Sequence, residues 1–418
     1  MALRASAHGV TDVGRRRRRN EDAFLIDEAI GLFAVADGMG GHSGGDVASK
    51  HALAVVQAEL AARSDLLQAF AADPSAEHRK NAQLLVEHAV QKACAGLLAL
   101  ARQRPELSGM GSTFVGAVIA GDRAIVAHVG DSRLYLARKG SAHALTEDHS
   151  LIAAQIKSGQ MARENAANSP FKGVLTRALG QQESVQVDTL VVDLLPGDRL
   201  VLCSDGLHNH LGDEETPALF LGSTPELLPG ELVALANARG GQDNITALVV
   251  AFEGASEEDP AALSRIDALQ RIPLFAYLVY REISEVLAIG QTLRFSPGER
   301  IVHEGDPGGD LFVVLQGRVA VEAGGVTMAT LEPGGHFGEM GLVDAAPRSA
   351  SVLAVEPTKV LLIPRAEMMG LMHREPVVGV KLLWVLAQSL SQRLRTANLG
   401  WSEAVAASAE EHAPFSRA

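Results

Sequence analysis

Carboxylates placed where apolar strands end are the residues of this chain whose positions first suggest chemistry. Glu21 and Asp22 open NEDAFLID, Asp37 lies in LFAVADGMGGH, Asp205 in LVLCSDGL and Asp243 in GGQDNITALVV. A carboxylate carried to the end of a buried strand loses hydration, and a cation or several hydrogen-bond donors must offset that loss. Strands converging on one end of a sheet would bring these groups together, and divalent metal ions would satisfy them at once. An all-oxygen donor set suits hard, octahedral ions, so Mg²⁺ or Mn²⁺ is expected rather than Zn²⁺, which takes His or Cys. Each Asp taken singly could equally be a turn former or helix cap. Five in the same context weaken that reading.

The elements that must position them read as mixed α and β. Short β-rich runs at 23–27, 32–36, 113–120, 124–129, 134–137, 200–203 and 245–252 alternate with helical stretches at 47–62, 82–103 and 229–238, whose apolar residues return every three or four positions. After Phe252 the text becomes EGASEEDPAALS, an acidic linker. A helical stretch is expected from Arg265 to Leu287. Glycine-punctuated strands then follow (SPGER, EGDPGGD, LQGR, EAGGV, EPGGH) and imply a compact β-roll. Helical periodicity returns from Pro364 to Thr396, and a loose tail is expected beyond Gly400.

Composition bounds the class. The 418 residues, 47% hydrophobic and 21% charged, suit two globular domains. Two cysteines, Cys94 and Cys203, make neither a disulfide framework nor a thiolate zinc site, and their scarcity points to a reducing, cytoplasmic setting. No secretory signal or membrane span is read from the sequence. A net charge of -13 disfavours nucleic acid as a partner, although Arg15 to Arg19 form a local basic run.

The ordered series VGRRRRRNEDAF, ADGMGGH, GMGSTFVGAVI, HVGDSRLYL, LTEDHS, LTRALG, LCSDGL and QDNITALVV resembles the bacterial form of the type 2C, metal-dependent serine/threonine protein phosphatases over Thr11 to Phe252. The resemblance implies an α+β fold: an antiparallel β-sandwich flanked by helices, with two metal ions, and a third in some relatives, at one end. By position, Asp37 matches the carboxylate bridging both metals and the Gly38 carbonyl a ligand of one. Asp205 and Asp243 match ligands of the other, Glu21 and Asp22 the acidic pair at the second metal, and Asp131 of GDSR a ligand of the third ion. Two such ions lower the pKa of a shared water and aim it at phosphorus. Arg17, five residues before Asp22, matches the arginine whose fork binds the phosphoryl oxygens. Its neighbours in the run would attract acidic or phosphorylated substrates. Met39 stands where eukaryotic relatives carry a histidine acid, and His42 is given no such role. The segment from about His149 to Thr176 resembles the flap that influences substrate choice.

From Pro297 onward, SPGERIVHEGDPGGDLFVVLQGRVAV and HFGEMGLVDAAPRSASVLA look like a cyclic-nucleotide-binding domain, a small β-roll with helices. The likeness implies that backbone N–H groups near Gly338 and Met340 meet the cyclic phosphate. Glu339 would accept from the ribose 2′-hydroxyl, and Arg348 would neutralise the phosphate. Ser349 follows where cAMP and cGMP domains differ, which leaves cAMP or cGMP open. An ordinary surface ion pair is the plainer reading of Glu339 and Arg348.

The sequence thus predicts a phosphatase domain over 1–253, a linker over 254–264, a nucleotide domain over 265–398 and a tail over 399–418. Its cofactors would be Mn²⁺ or Mg²⁺, its substrates phosphoproteins made by a Ser/Thr kinase, and its regulatory ligand a cyclic nucleotide. The alternatives are a catalytically weak scaffold acting as a nucleotide sensor, and a transcription regulator, which the short, weakly basic C-terminus argues against.

Overall fold

In the computed structural model, which describes residues 3–40, 44–254, 265–270, 272–344 and 346–411, the chain divides into two units, Met1–Ala262 and Leu263–Ala418. Residues 255–264 of the expected linker lie outside the described residues.

In the first unit β1 (Arg4–Asp12), β2 (Asp22–Asp27) and β3 (Leu32–Met39) precede α1 (Gly45–Ala62), α2 (Ser64–Ala72) and α3 (Ala76–Gln103). Next come β4 (Gly111–Ser112), β5 (Phe114–Ala120), β6 (Arg123–Val129), β7 (Arg133–Arg138), β8 (Ser141–Ala144) and α4 (Leu151–Lys157). The unit finishes with β9 (Asp188–Asp193), β10 (Arg199–Cys203), α5 (Asp205–His208), α6 (Thr216–Leu221), α7 (Leu228–Ala238) and β11 (Ile245–Glu253). One antiparallel sheet has the order β1-β11-β10-β7-β8, and the other β2-β3-β5-β6-β9 with β4 beside β3.

Side-chain alternation sets the layers. Along β3, Leu32, Ala34 and Ala36 pack with Ala48, Ala52 and Val56 of α1 and Ala89 and Val90 of α3. Phe33 and Val35, equally buried, take the opposite face. Along β11, Ile245, Ala247 and Val249 pack with Leu232 and Ala236 of α7, so Thr246, Leu248, Val250 and Phe252 point to the other side. The result is helix, sheet, sheet, helix. Among the described residues α3 alone is long and apolar enough to cross a membrane by length and composition; here its apolar stripe packs on α1 and the sheet.

Topology explains why the acids meet. β3 ends just past Asp37, and its antiparallel partner β2 starts at Asp22, directly opposite Asp37 in the register. β6 runs parallel to β3 through two antiparallel steps and ends two residues before Asp131. In the other sheet β10 ends two residues before Asp205, and β11 starts two residues after Asp243. All five positions fall at one end of the sandwich.

The second unit contains α8 (Arg265–Gln270), α9 (Tyr280–Ile289), β12 (Gln291–Phe295), β13 (Arg300–Val302), β14 (Leu311–Gln316), β15 (Val319–Ala323), β16 (Val326–Leu331) and β17 (His336–Phe337). It continues with α10 (Met340–Asp344), β18 (Ser351–Ala354), β19 (Thr358–Ile363), α11 (Arg365–Arg374) and α12 (Pro376–Glu411). Two four-stranded sheets, β12-β19-β14-β17 and β13-β18-β15-β16, form the roll around Phe312, Val314, Val319, Phe337, Val352 and Val360.

Prolines divide what periodicity joined. The stretch expected from Arg265 to Leu287 is two helices with a 3₁₀ turn at Pro273–Phe275 between them, and the stretch from Pro364 breaks at Glu375, before Pro376. The helix also runs beyond Gly400 to Glu411, where a loose tail was expected. The alanines and glutamates after Trp401 favour helix enough to carry the chain past that glycine. Residues 412–418 lie outside the described residues.

Candidate functional site

Asp22, 4% exposed, opens β2 between the sheets. Its Oδ2 accepts from Ser204 Oγ at 2.6 Å and Thr246 Oγ1 at 2.7 Å, while Oδ1 is buried without a hydrogen-bond partner. Asp37 is held through its backbone: its N–H donates to Thr113 Oγ1 at 2.9 Å and its carbonyl accepts from Thr113 N–H at 2.8 Å. Thr113 Oγ1 also pairs with Ser132 Oγ at 2.7 Å, which joins Asp37 to the GDSR turn. That turn is fixed in addition by His208, whose Nε2 meets the Asp131 carbonyl at 2.8 Å.

Glu21 and Gly38 converge on the first turn of α1. A Cβ placed on Gly45 would lie 2.6 Å from the Glu21 carboxyl carbon and 2.8 Å from the Gly38 carbonyl oxygen. Only a hydrogen there keeps the space between these two oxygen-bearing groups open.

Asn244 ties the arginine run to the sheet. Its Nδ2 donates to the Val13 and Arg19 carbonyls at 3.0 and 2.8 Å, and its Oδ1 accepts from Glu21 N–H at 2.8 Å. The loop therefore leaves Arg17 at the acidic end, where Nη2 lies 2.6 Å from Asp243 Oδ2. Asp205 keeps Oδ2 at 3.3 Å from Asn209 Nδ2, and its Oδ1 is buried with no partner.

The electrostatics record crowded negative charge. Burial first, then the charge of Asp22, Asp205, Asp131 and Asp243, pushes Asp37 well above the ordinary carboxylate range. Burial also raises Asp22 to about 7, Asp131 to about 7 and Asp205 to about 6, with neighbouring aspartates adding to each shift. Arg17 is pushed up by its hydrogen bond to Asp243 and by the charges of Glu21 and Asp37. Arg17, even with Lys172 acting on Asp205 and Arg133 on Asp131, is a poor match for so many carboxylates.

A divalent cation fits this set by donor chemistry. The groups are all oxygen donors, two buried carboxylate oxygens lack partners, and the Gly45 cradle exists only because a Cβ is missing. The carboxylates share a field without touching a common point: among the described residues no three His, Cys, Asp or Glu side chains meet at metal-ligand spacing.

In the second unit Gly338 has φ 82°, and a Cβ there would lie 2.5 Å from both Arg348 Nη1 and the Asp310 carbonyl oxygen. Arg348 donates from Nη2 to that carbonyl at 3.0 Å, and its guanidinium carbon stands 5.5 Å from the Phe312 ring centre. Glu339 is buried, while Met340 and Ser349 are exposed. Gly338, Glu339 and Arg348 are thus gathered at one edge of the roll.

Sequence reasoning placed the acids and Arg17 but not the groups that hold them. Ser204, Thr246 and Asn244 lie inside the quoted LCSDGL and DNITAL segments, each adjacent to or near a named Asp, and that adjacency was the available signal. Gly45 is the second glycine of SGGD, whose small size alone carried no message. His42 lies outside the described residues.

Comparisons agree with this architecture. The protein phosphatase 2C family model matches residues 14–230, and the cyclic nucleotide-binding domain model matches 292–375. The serine/threonine phosphatase stp of Listeria innocua is 36% identical over 244 residues, which cover 57% of this chain and 93% of that protein. The crystal structure of the Mycobacterium tuberculosis serine/threonine phosphatase PstP/Ppp is 31% identical with TM-score 0.52, covering 61% of this chain and all of that one. A catalytic domain of PstP in complex with two manganese ions is 30% identical with TM-score 0.50, over 60% of this chain and 99% of that one. With a sandwich whose acids gather at one end and a nucleotide-type roll later in the sequence, this chain belongs to the type 2C, metal-dependent serine/threonine protein phosphatases and carries a cyclic nucleotide-binding domain C-terminal to its catalytic unit.

Proposed function

We propose that the acidic end of the first unit holds two divalent ions and hydrolyses phosphoserine and phosphothreonine in proteins. Asp37 would bridge the ions, the Gly38 carbonyl, Glu21 and Asp22 would serve one, and Asp205 and Asp243 the other, with Asp131 at a third and weaker position. Ions bound there supply an acidified water and neutralise charge on the phosphoryl group. The chain's own groups do the rest. Ser204 and Thr246 hold Asp22, and Thr113 holds Asp37, so the carboxylates need not reorganise when substrate arrives. Arg17, once Asp243 has another cationic partner, can turn its fork to the phosphoryl oxygens.

The observation that carries this reading is the set of buried, mutually repelling carboxylates with unpartnered oxygens at one end of the sandwich. In the second unit, Arg348 would neutralise a cyclic phosphate, with Gly338 and Met340 N–H groups beside it, Glu339 on the ribose and Ser349 facing the base side. Bound cAMP or cGMP would then bias the phosphatase between two activity states.

The deciding experiment is Mn²⁺-dependent hydrolysis of a phosphothreonine peptide by wild type and Asp37→Asn, with and without each nucleotide. Wild type should turn over, and Asp37→Asn should lose more than the ~10- to 100-fold typical of losing an outer partner. Equal rates in the two proteins would refute the metal assignment; equal wild-type rates with and without saturating nucleotide would refute the regulation.

A further inference from the structure

Two segments that carry the family likeness, LTEDHS and LTRALG, give no group to the acidic centre, yet they meet in a buried polar cluster beside it. His149, 6% exposed, is its hub. The backbone N–H of His149 donates to the Gly130 carbonyl at 2.7 Å, and its ring Nδ1 accepts from the Gly130 N–H at 3.1 Å. A ring nitrogen that accepts carries no proton, so in the neutral ring the proton sits on Nε2. Nε2 faces Asp188 Oδ2 at 3.1 Å, and Arg177 Nη1 lies 2.7 Å from Asp188 Oδ1 and 3.0 Å from Nε2. His128, fully buried, places its ring centre 4.6 Å from that of His149.

The two sides of His149 serve different parts of the chain. On one side, Gly130 immediately precedes Asp131, and it has φ 111° with Thr113 packed where a Cβ would stand, at 2.6 Å. That turn has no slack. On the other side the His149 carbonyl accepts from Thr176 N–H at 2.8 Å, Ser150 bridges Leu175, and Leu151 N–H donates to the Val174 carbonyl at 2.8 Å. Residues 150–175 therefore leave and rejoin the rest of the unit beside His149. Its helix α4 has no buried residue and meets the preceding segment through an exposed Lys157–Glu147 pair at 2.9 Å.

We propose that His149, held by Asp188, which Arg177 anchors in turn, is a positioning residue that locks the base of the 150–175 flap to the Asp131 turn and so sets how a phosphopeptide lies against the centre. The proposal rests on the phosphatase reading. A small phosphate ester needs only the centre, whereas a peptide must also lie against the flap, so the lock should act on one substrate class and spare the other.

The test compares p-nitrophenyl phosphate with a phosphothreonine peptide in wild type, His149→Ala, His149→Asn and Asp188→Asn. In His149→Asn the amide Oδ1 can accept from Gly130 N–H in place of Nδ1 but cannot reach Asp188. His149→Ala should raise KM for the peptide about tenfold, the usual cost of one buried hydrogen bond, with kcat/KM for the ester changed less than about threefold. Asp188→Asn should show the same selectivity more weakly, and His149→Asn should recover part of the loss. Hydrogen exchange at the Leu151 and Thr176 amides should quicken in His149→Ala, a readout that needs no turnover and stands even if catalysis fails. Equal losses on both substrates with unchanged exchange, or no change anywhere, would overturn the proposal. If His149→Ala does not fold, His149→Asn and Asp188→Asn decide it.

Discussion

Asp22 begins β2 with one carboxylate oxygen held by Ser204 and Thr246 and the other buried without a partner. Burial raises its pKa from 3.8 to about 7. Between those values the folded, metal-free chain binds a proton that the unfolded chain has released, so this group's contribution to stability falls as pH rises through that window. Burial pushes His128 and His208 down to about 3. They act oppositely: unfolded histidine binds the proton below about 6.5, so stability rises with pH up to there. A difference isolates Asp22. In EDTA, the Tm of Asp22→Asn minus that of wild type should widen in favour of the variant from pH 5 to 7.5; a gap constant with pH would contradict the assignment. The acids were legible in sequence because a carboxylate at the end of an apolar run conflicts with its surroundings. Ser204 and Thr246 were not, because a hydroxyl at a strand end conflicts with nothing.

At the scale of elements, a buried ion pair ties a strand of one sheet to a strand of the other. Arg138, at the end of β7, sends Nε and Nη2 to the two Asp198 oxygens at 2.8 and 2.6 Å, with both side chains almost wholly buried. Nη2 also donates to the Asp193 carbonyl at 2.8 Å, so β7, β9 and the turn before β10 are joined at one point. Arg138→Met would strand Asp198 in the interior and should cost ~3–5 kcal/mol, while Arg138→Met with Asp198→Leu should recover most of it. Urea denaturation of the two variants checks this, and a double variant as unstable as the single one would be the contrary result. Strands such as β5, β6 and β11 were legible because both faces are buried and the sequence is continuously apolar. β1 was not read as a strand: at the sheet edge and half-exposed, RASAHGVTD alternates too weakly to register. β9 escaped for a similar reason, its burial alternating over six residues that begin and end in Asp.

At the scale of the whole molecule, one chain carries both a phosphatase domain that removes phosphate from proteins and a domain whose family binds cyclic nucleotides. Arg348 sits against the Asp310 carbonyl beside Gly338, and Arg348→Leu should weaken cAMP or cGMP binding at least about 30-fold, the loss expected for a partly buried charge partner. Calorimetry measures it directly, and an unchanged Kd would place the nucleotide elsewhere. The Arg17–Asp243 contact in the first unit has a further consequence. A guanidinium committed to Asp243 is not available to a phosphate, so whatever cation takes its place on Asp243 also makes the site receptive to the oxyanion. By linkage, the two affinities must then rise together and by the same factor. In the role proposed for Arg17, the ion-free enzyme would hold that guanidinium in reserve, and a phosphoprotein would be captured more tightly when it could also be cleaved.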